Sequence, residues 1–347
     1  MKAARLHNYK EDLKIDEQDE PKTDQPHDVI VKIGAAGLCR TDLHIRDGDW
    51  KQIQQDAGFS LPYTLGHENA GWVHEIGSAV GNVEVGDTVI LHPLITCGLC
   101  RACRAGDDMH CINGIFPGLL ADGGFAHFLK SSARNVIKLD KSLQPQDVAA
   151  QADAGLTAYH AVKKAADILY PGTTAVVIGA GGLGHIGIQC LKALTPAQIV
   201  VVDKNEAALK LSSDWGADET VVADGNHIDK VKEITNGNGA EVVLDFVAER
   251  GVEKEVPRMV RNHGTYYVIG YGGALDVSTH EMIFREISIV GNLVGTYNDL
   301  AELMTLNAQG RVQLHTSTYP LEAINDAMAD LDSGRLQGRG ILIPEGV

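Results

Sequence analysis

The sequence lacks a long apolar segment. No window approaches eighteen consecutive apolar residues, which is about the length that a membrane-spanning helix needs. The first residues, MKAARLHNYKEDLKIDE, carry charges where a secretory signal peptide has its apolar stretch. We therefore expect neither a membrane span nor secretion, and we predict a cytoplasmic location.

Basic residues are also few relative to acidic residues. Lysine and arginine together number 30, against 46 aspartates and glutamates, so the formal net charge is −16. A surface of this sign repels the phosphate backbone of nucleic acids. Nucleic acid is therefore not an expected partner.

Compositional bias of the kind seen in disordered or fibrous chains is also missing. Apolar residues make up 44% of the 347 residues, which is enough to bury about two ordinary cores. The 38 glycines are numerous but follow no period, so they predict turns and close backbone approaches. The sequence indicates a folded protein of about two domains.

The pattern of apolar residues changes twice along the chain. Residues 1–150 show short β-rich segments between turns, which favours a partly open β-barrel. Residues 155–295 alternate apolar strands with helical patterns, as in a doubly wound parallel sheet covered on both faces. Two helical patterns and the strand GRGILIP follow, in a tail too short to fold alone. The prediction is an α/β protein with one domain of residues 1–154 and 296–347 and a second of residues 155–295.

Four of the six cysteines fall within fifteen residues. Cys97, Cys100, Cys103 and Cys111 have the spacing C-x2-C-x2-C-x7-C, which suits one tetrahedral Zn²⁺ ion. An iron–sulfur cluster or a redox pair is the alternative, although the cluster motif places a proline after its last cysteine and this chain has none there. Four thiolates leave no open coordination position, so this zinc is predicted to be structural.

A second group of candidate ligands is less local. Cys39 lies in a glycine-rich turn, AAGLCRTDLH, and His67 and Glu68 lie in GHENAGWVHEIG. Thiolate and imidazole are ligands suited to zinc, but a catalytic zinc usually takes three protein ligands. From these residues alone, Cys39 is as readily a core thiol as a ligand, and the third ligand stays open. Cys190, within a helical pattern, is predicted to be a core residue.

A glycine-rich turn follows the strand TAVVI. Gly179, Gly181, Gly182, Leu183 and Gly184 match G-x-G-x-x-G and open a helical pattern, whose free N–H groups suit a pyrophosphate. The next strand ends at Asp203, about 20 residues further on, where a carboxylate would bind a ribose 2′-hydroxyl. Because that carboxylate repels a 2′-phosphate, NAD is favoured over NADP. The alternative for Asp203 is an ordinary turn residue.

The motifs together resemble one family along essentially the whole chain. The order GLCRTD, GHE-x2-G-x5-G-x2-V, the four cysteines, DAGLTAYHA, GAGGLG and GRGILIP is similar to that of the zinc-containing medium-chain alcohol dehydrogenases. The resemblance implies a GroES-like catalytic domain and a Rossmann domain, with the active site in the cleft between them. It also implies that Asp153 is the third ligand of a catalytic zinc with Cys39 and His67, as in a bacterial and archaeal secondary-alcohol branch. Glu68 would lie beside the metal or bind it transiently.

The resemblance assigns further roles near these ligands. Thr41 would contact the alcohol, and His44 would relay its proton to water. Arg40 and Arg339 would neutralise the cofactor pyrophosphate. Asp42 is interpreted as a structural or supporting partner. The expected activity is a zinc- and NAD-dependent, reversible hydride transfer between a secondary or primary alcohol and NAD, giving a ketone or aldehyde, with two zinc ions per chain.

Other assignments stay open at this point. A polyol or sugar dehydrogenase and a non-catalytic regulator that binds zinc and NAD are the alternative functions. A homodimer or homotetramer is expected, because in the family the strand ISIVGNLVG pairs across a subunit interface. Four apolar residues line a substrate pocket or belong to the core: Trp50, Phe116, Leu119 and Leu293. Four histidines are interpreted as structural: His92, His110, His160 and His185.

Overall fold

The computed structural model describes residues 1–344. In chain order, the strands are β1 Lys2–Leu6, β2 Lys14–Glu17, β3 Asp28–Leu38, β4 Tyr63–Thr64, β5 Glu68–Ile76, β6 Thr88–Leu91, β7 Phe128–Ser132, β8 Val136–Lys138, β9 Thr174–Ile178, β10 Gln198–Asp203, β11 Glu219–Val222, β12 Ala240–Asp245, β13 Val260–Val268, β14 Ser288–Gly291, β15 Thr316–Pro320 and β16 Arg339–Ile343.

The helices lie between these strands, with strict alternation only in parts of the chain. They are α1 Arg40–Asp47, α2 Lys51–Asp56, α3 Arg101–Ala105, α4 Pro145–Val148, α5 Ala154–Ala166, α6 Gly184–Leu194, α7 Glu206–Asp214, α8 His227–Ile234, α9 Val252–Glu255, α10 Thr279–Arg285, α11 Tyr297–Ala308 and α12 Ile324–Asp332. Short 3₁₀ turns occur at Asp108–His110, Ala149–Ala152, Val256–Arg258 and Leu321–Ala323. Among residues 1–344, every helix is too short or too polar to cross a lipid bilayer.

The chain divides into two compact units. Unit 1 comprises Met1–Leu156 and Thr296–Val347, and unit 2 comprises Thr157–Gly295. In unit 1, a mixed seven-stranded sheet has the order β15-β16-β3-β5-β6-β8, with β7 paired to β3, and a smaller sheet has the order β2-β1-β4. The final strand β16 pairs antiparallel with β3, which ties the C-terminal segment into this unit.

The core of unit 1 forms around β3. This strand is buried along almost its whole length, because β5, β7 and β16 pair with it and helices cover it. Val29, Val31 and Ile33 alternate along one face and meet Phe125 and Leu342 in a single apolar cluster. Burial on this scale holds the ends of β3, β5 and β16 in place.

Unit 2 is a parallel six-stranded sheet with helices between its strands. The strand order is β11-β10-β9-β12-β13-β14, which is the order 3-2-1-4-5-6 of a doubly wound sheet. Val176, Val200 and Val243 pack in its core with Tyr266. The parallel sheet predicted for this part of the chain is confirmed.

Helix α8 and strand β15 are among the elements that were not predicted from the sequence. Helix α8 has eight residues and buries His227, Ile228 and Val231, so it is too short to give an extended helical pattern. Strand β15 has no fully buried residue and reaches the sheet only through its pairing with β16.

Candidate active site

Three strand ends meet in unit 1. Cys39 directly follows β3, while Glu68 begins β5 and Arg339 begins β16. The register pairs Gly37 with Glu68 and Gly340 with Leu38, so these ends lie side by side. A side chain on Gly37 would overlap the Glu68 carboxylate, since a Cβ there would lie 2.0 Å from Oε2. The glycine therefore leaves room for the glutamate.

Four potential ligands converge at this place. The ligand atoms of Cys39, His67, Glu68 and Asp153 all lie within 4.8 Å of one another, and we call this group the mixed cluster. Asp153 is brought in by the 3₁₀ turn Ala149–Ala152, which packs against β3 and β5. The first three residues are buried and Asp153 is half-buried. One thiol, one imidazole and two carboxylates form a donor set that suits zinc.

Asp42 holds two members of the mixed cluster. Its Oδ2 accepts a hydrogen bond from the Cys39 amide at 2.9 Å, and its Oδ1 lies 3.3 Å from Nδ1 of His67. Nε2 of the same imidazole lies 3.4 Å from Oδ2 of Asp153. Burial opposes the charged imidazolium, but Asp42, followed by Asp153 and Cys39, raises the pKa of His67 well above its ordinary value. A carboxylate behind a histidine ligand is a common way of orienting it toward a metal.

Glu68 and Arg339 form a buried ion pair. Arg339 is only 4% exposed and donates to Oε1 of Glu68, which also accepts from the Ala154 amide at 3.1 Å. Burial raises the pKa of Glu68, although the guanidinium opposes this effect. Arg339 was expected at a cofactor pyrophosphate, and the structure gives it a buried carboxylate as partner instead. Its phosphate role stays a prediction.

The remaining predicted residues of this region lie on α1. The Thr41 hydroxyl lies 3.7 Å from the Cys39 sulfur. His44 contacts Oδ2 of Asp49 through Nδ1 at 3.0 Å, on the more exposed side of the helix. Arg40, at the first helical position, is exposed. Their proposed catalytic and phosphate-binding roles stay predictions.

The four cysteines of the 97–111 segment form a second ligand group, the cysteine lobe. Their sulfurs lie within 4.8 Å of one another, with Cys100 and Cys103 at 3.5 Å and Cys97 and Cys103 at 4.0 Å. Tetrahedral Zn–S bonds of about 2.3 Å require sulfurs about 3.8 Å apart, so the lobe fits one zinc ion. The amides of Leu99 and Cys100 lower the pKa of Cys97 to about 6, which favours the thiolate that a metal binds.

In another thiol of the cysteine lobe, that of Cys103, the pKa is raised rather than lowered. Burial raises the pKa of Cys103 to about 11, with hydrogen bonds among the thiols adding to the effect. All six cysteines of the chain are unpaired thiols. A group of four close thiols with no disulfide is suited to metal binding rather than to crosslinking.

In unit 2, the glycine-rich loop connects β9 to α6. Gly179 has φ 87°, and a Cβ on Gly184 would lie 1.8 Å from the Gly179 carbonyl oxygen, so both positions need glycine. Asp203 ends β10, and its Oδ2 accepts from the Ala180 amide of the loop at 2.6 Å. Its Oδ1 accepts from the Asn205 amide at 2.8 Å. Asp203 therefore lies beside the loop and also supports its turn.

The four apolar residues whose roles the sequence does not decide lie in different surroundings. Leu119 is 5% exposed in the core of unit 1, which matches the core alternative. Trp50 and Phe116 are partly buried against that core, and the Phe116 ring meets His67 edge-on at 6.1 Å. Leu293, in unit 2, is 54% exposed. Phe116 is therefore the candidate among them that contacts a residue of the mixed cluster.

The histidines interpreted as structural are mostly held within the fold. His92 and His185 are buried, and Nδ1 of His185 contacts the Gly181 carbonyl at 3.1 Å. His110 is exposed and pairs with Asp107 at 2.7 Å. His160 lies half-buried on α5.

The sequence analysis interpreted Asp42 as a structural or supporting partner, but it did not predict the ion pair between Glu68 and Arg339. One of the two contacts of Asp42, the one with the Cys39 amide, is indicated by a local sequence pattern. Asp42 follows Cys39 by three residues, which is the spacing of a capping box. The Glu68–Arg339 pair has no such pattern, because the two residues are 271 positions apart.

Comparison with known proteins agrees with this architecture. Residues 25–141 match the alcohol dehydrogenase GroES-like domain, and residues 182–309 match the zinc-binding dehydrogenase domain. An NAD-dependent alcohol dehydrogenase of Sulfurisphaera tokodaii is 34% identical, with 99% of this chain and 100% of the relative covered. A D-arabinose 1-dehydrogenase (NADP(+)) of Saccharolobus solfataricus is 33% identical, with 99% and 97% covered.

Solved structures show the same relationship. The crystal structure of the alcohol dehydrogenase from the hyperthermophilic archaeon Aeropyrum pernix superimposes with a TM-score of 0.95 and 46% identity, covering 99% of this chain and 100% of that one. The predicted GroES-like and Rossmann fold classes are thereby confirmed. The chain belongs to the zinc-containing medium-chain alcohol dehydrogenase family.

Proposed function

We propose that this protein is a cytoplasmic, zinc- and NAD-dependent alcohol dehydrogenase that interconverts a secondary or primary alcohol and its ketone or aldehyde. The observation that carries the proposal is the mixed cluster, in which Cys39, His67 and Asp153 bring three zinc-type ligands together in a chain of this family. The cysteine lobe would hold a second, structural zinc.

The mixed cluster would supply metal chemistry to the reaction. Cys39, His67 and Asp153 would hold a zinc ion, which when bound supplies Lewis acidity toward an alcohol oxygen. Asp42 orients the imidazole and the Cys39 amide, and Arg339 balances part of the negative charge of Glu68. With two carboxylates and a thiolate in the group, this cation limits the excess negative charge around the metal.

Two residues of α1 would handle the proton of the alcohol. The Thr41 hydroxyl, 3.7 Å from the Cys39 sulfur, is close enough to the mixed cluster to accept a proton from a bound alcohol and pass it on. His44 is more exposed, so its imidazole is suited to exchanging that proton with water. The hydride would go to the nicotinamide of NAD.

The nucleotide would bind through unit 2. The loop at Gly179–Gly184 offers backbone N–H groups to a pyrophosphate, and Asp203 offers a carboxylate to the adenosine ribose. Arg40 is proposed to contact the pyrophosphate because it is exposed, whereas the same role for Arg339 would require its side chain to serve Glu68 and the phosphate together.

The cofactor preference gives the first prediction. Asp203→Gly should raise the ratio of kcat/KM for NADP over NAD by about tenfold, because a charge that repels the 2′-phosphate is removed. Since Asp203 also accepts from two backbone amides, Asp203→Asn serves as the control that removes the charge but keeps an acceptor. An unchanged preference in both variants would remove Asp203 from the ribose role.

The substrate class has one specific alternative. The relative named D-arabinose 1-dehydrogenase supports a polyol or sugar dehydrogenase as the second candidate. The aromatic edge of Phe116 beside His67 favours an apolar substrate instead. NADH formation measured with 2-propanol, 1-phenylethanol, ethanol, sorbitol and D-arabinose separates the two. Turnover on the sugars far above that on the simple alcohols would make a polyol or sugar dehydrogenase the better proposal.

A homodimer or homotetramer belongs to the same proposal. Strand β14 is the outer strand of the parallel sheet of unit 2, and Leu293 just beyond it is 54% exposed. An outer strand next to an exposed apolar side chain is a surface that a second copy of the chain can cover.

A further inference from the structure

A polar pocket of about 660 Å³ opens at one edge of the parallel sheet in unit 2. It lies where the strands begin: its lining includes Thr174 of β9, Gln198 of β10 and Val260 of β13. The glycine-rich loop and Asp203 follow the opposite ends of the same strands. Five residues of β9 span on the order of 15 Å, so the pocket is separate from the proposed nucleotide site.

The charge of the pocket differs from that of the chain. Its lining contains four cations, Lys232, Arg258, Arg261 and Arg285, and one carboxylate, Glu241. The whole chain carries a net charge of −16, so a concentration of positive charge is unusual on this protein. A concave surface lined by one sign of charge attracts ions of the other sign.

Two of the four cations already have ionic partners. Arg261 lies 3.1 Å from Oε1 of Glu241, and Arg285 lies 2.6 Å from Oε1 of Glu281. Arg285 also donates to the Pro257 carbonyl at 3.1 Å, so it is anchored in the wall of the pocket. Nε of Arg261 is buried without an acceptor within residues 1–344.

The other two cations are not neutralised in this way. For Lys232 and Arg258, the part of the chain that the structure describes provides neither an ion pair nor a side-chain hydrogen bond. Arg258 is exposed and Lys232 is half-buried. Two positive charges therefore line the concave, polar surface without an ion-pair partner among residues 1–344.

A structural role at the end of α8 does not account for Lys232. Cations near a helix C-terminus often bind its last carbonyl groups. Here the carbonyls of Val231 and Lys232 accept from Thr235 and Gly237, and that of Glu233 accepts from the Asn236 amide. The turn itself satisfies these groups, which leaves the lysine ammonium available.

We propose that this pocket binds a small phosphate-bearing anion, a pyrophosphate group either free or as part of a nucleotide. Guanidinium and ammonium groups suit phosphate oxygens, and the side-chain amides of Asn236, Asn238 and Asn262 in the lining add neutral donors. The volume is within the range of small-molecule sites. The polar lining excludes an apolar ligand.

Calorimetric titration of the full-length protein with inorganic pyrophosphate tests the proposal. The titration is run with and without saturating NAD, which fills the proposed nucleotide site. We expect one equivalent per chain to bind, and we expect Lys232→Gln/Arg258→Gln to bind at least about tenfold more weakly, because two charged donors are lost. Lys210→Gln, an exposed lysine of α7, is the matched control and should bind like the unmodified protein.

A stability measurement and a second titration complete the test. Since neither substituted side chain has an ion pair or a hydrogen bond within residues 1–344, the double variant should unfold at nearly the same temperature as the parent, and Lys232→Gln alone serves if it does not. A parallel titration with ADP distinguishes a nucleotide, which would bind more tightly than pyrophosphate, from the inorganic ion. Absence of binding both with and without NAD, or equal affinity in the substituted protein, would overturn the proposal.

Discussion

The cysteine lobe and the mixed cluster are both groups of four metal-type ligands in unit 1, yet the chain builds them in different ways. The lobe takes its ligands from one segment, Cys97 to Cys111, and its thiols are half-buried. The mixed cluster takes its ligands from three distant segments. These supply Cys39, then the sequence neighbours His67 and Glu68, and then Asp153. A local group needs only its loop to form, whereas a dispersed group needs the whole sheet of unit 1.

The two groups also differ in what surrounds them. The lobe offers four like ligands, stabilised by backbone amides such as those of Leu99 and Cys100. The mixed cluster is supported by charged side chains, with Asp42 behind His67 and Arg339 on Glu68. A group of unlike ligands that is supported from outside is suited to chemistry, and a closed group of four thiolates is suited to holding a loop.

The largest effect is expected at Asp153. Asp153→Ala should lower kcat/KM for an alcohol by about a thousandfold, because metal Lewis acidity contributes several kcal/mol to such reactions. Zinc content should fall from two to one per chain, with the cysteine lobe still loaded. Asp107→Ala, which removes an exposed carboxylate paired with His110, should leave both values unchanged. Retention of two zincs by Asp153→Ala would discard Asp153 as the third ligand.

The next effect is expected at Arg339. Arg339→Met should lower the free energy of unfolding by about 3 kcal/mol, since it leaves the buried Glu68 carboxylate without its cation. The pKa of Glu68 is already raised by burial, so protonation relieves the cost at low pH and the loss should grow as the pH rises from about 5 to about 8. Urea unfolding at the two pH values measures this.

A double variant is the control for Arg339. Glu68→Gln/Arg339→Met removes both charges, so it should recover at least about half of the lost stability. A loss of equal size in the single and double variants, independent of pH, would mean that Arg339 acts through packing rather than through its charge.

A smaller effect on activity, but a clear effect on stability, is expected in the lobe. Cys97→Ser should lose the structural zinc and lower Tm by about 5 to 10 °C, in line with a loss of a few kcal/mol in a domain of this size. Turnover at low temperature should largely persist, because the mixed cluster is intact. Scanning calorimetry with metal analysis measures both, and a zinc-free variant as heat-stable as the parent would contradict a structural role.

The smallest effect is expected from the support behind His67. Asp42→Asn should weaken metal affinity at the mixed cluster by about 10- to 100-fold, the usual result of losing such a carboxylate. Zinc retention during dialysis against a graded chelator measures it. Asp49→Asn is a matched control, because Asp49 also contacts a histidine, His44, away from the cluster. Equal loss of zinc in both variants would contradict the assigned role of Asp42.

The same contrast explains what could be predicted from the sequence. The spacing of the cysteine lobe is contained in fifteen residues, and the glycine-rich loop and Asp203 lie within one βαβ unit, so local patterns indicate them. Asp153 has no local signal of its own and came from the family resemblance. The Glu68–Arg339 pair depends on the pairing of β16 with β3 and of β3 with β5, which no local pattern contains.

The measurement that tests the central claim most directly combines metal analysis with turnover on one purified sample. Zinc is counted per chain while NADH formation is followed with secondary alcohols. The account predicts two zincs and alcohol-dependent NADH formation. One zinc and no turnover would mean that Cys39, His67 and Asp153 do not form a working site, and a non-catalytic protein that binds zinc and NAD would then be the better description.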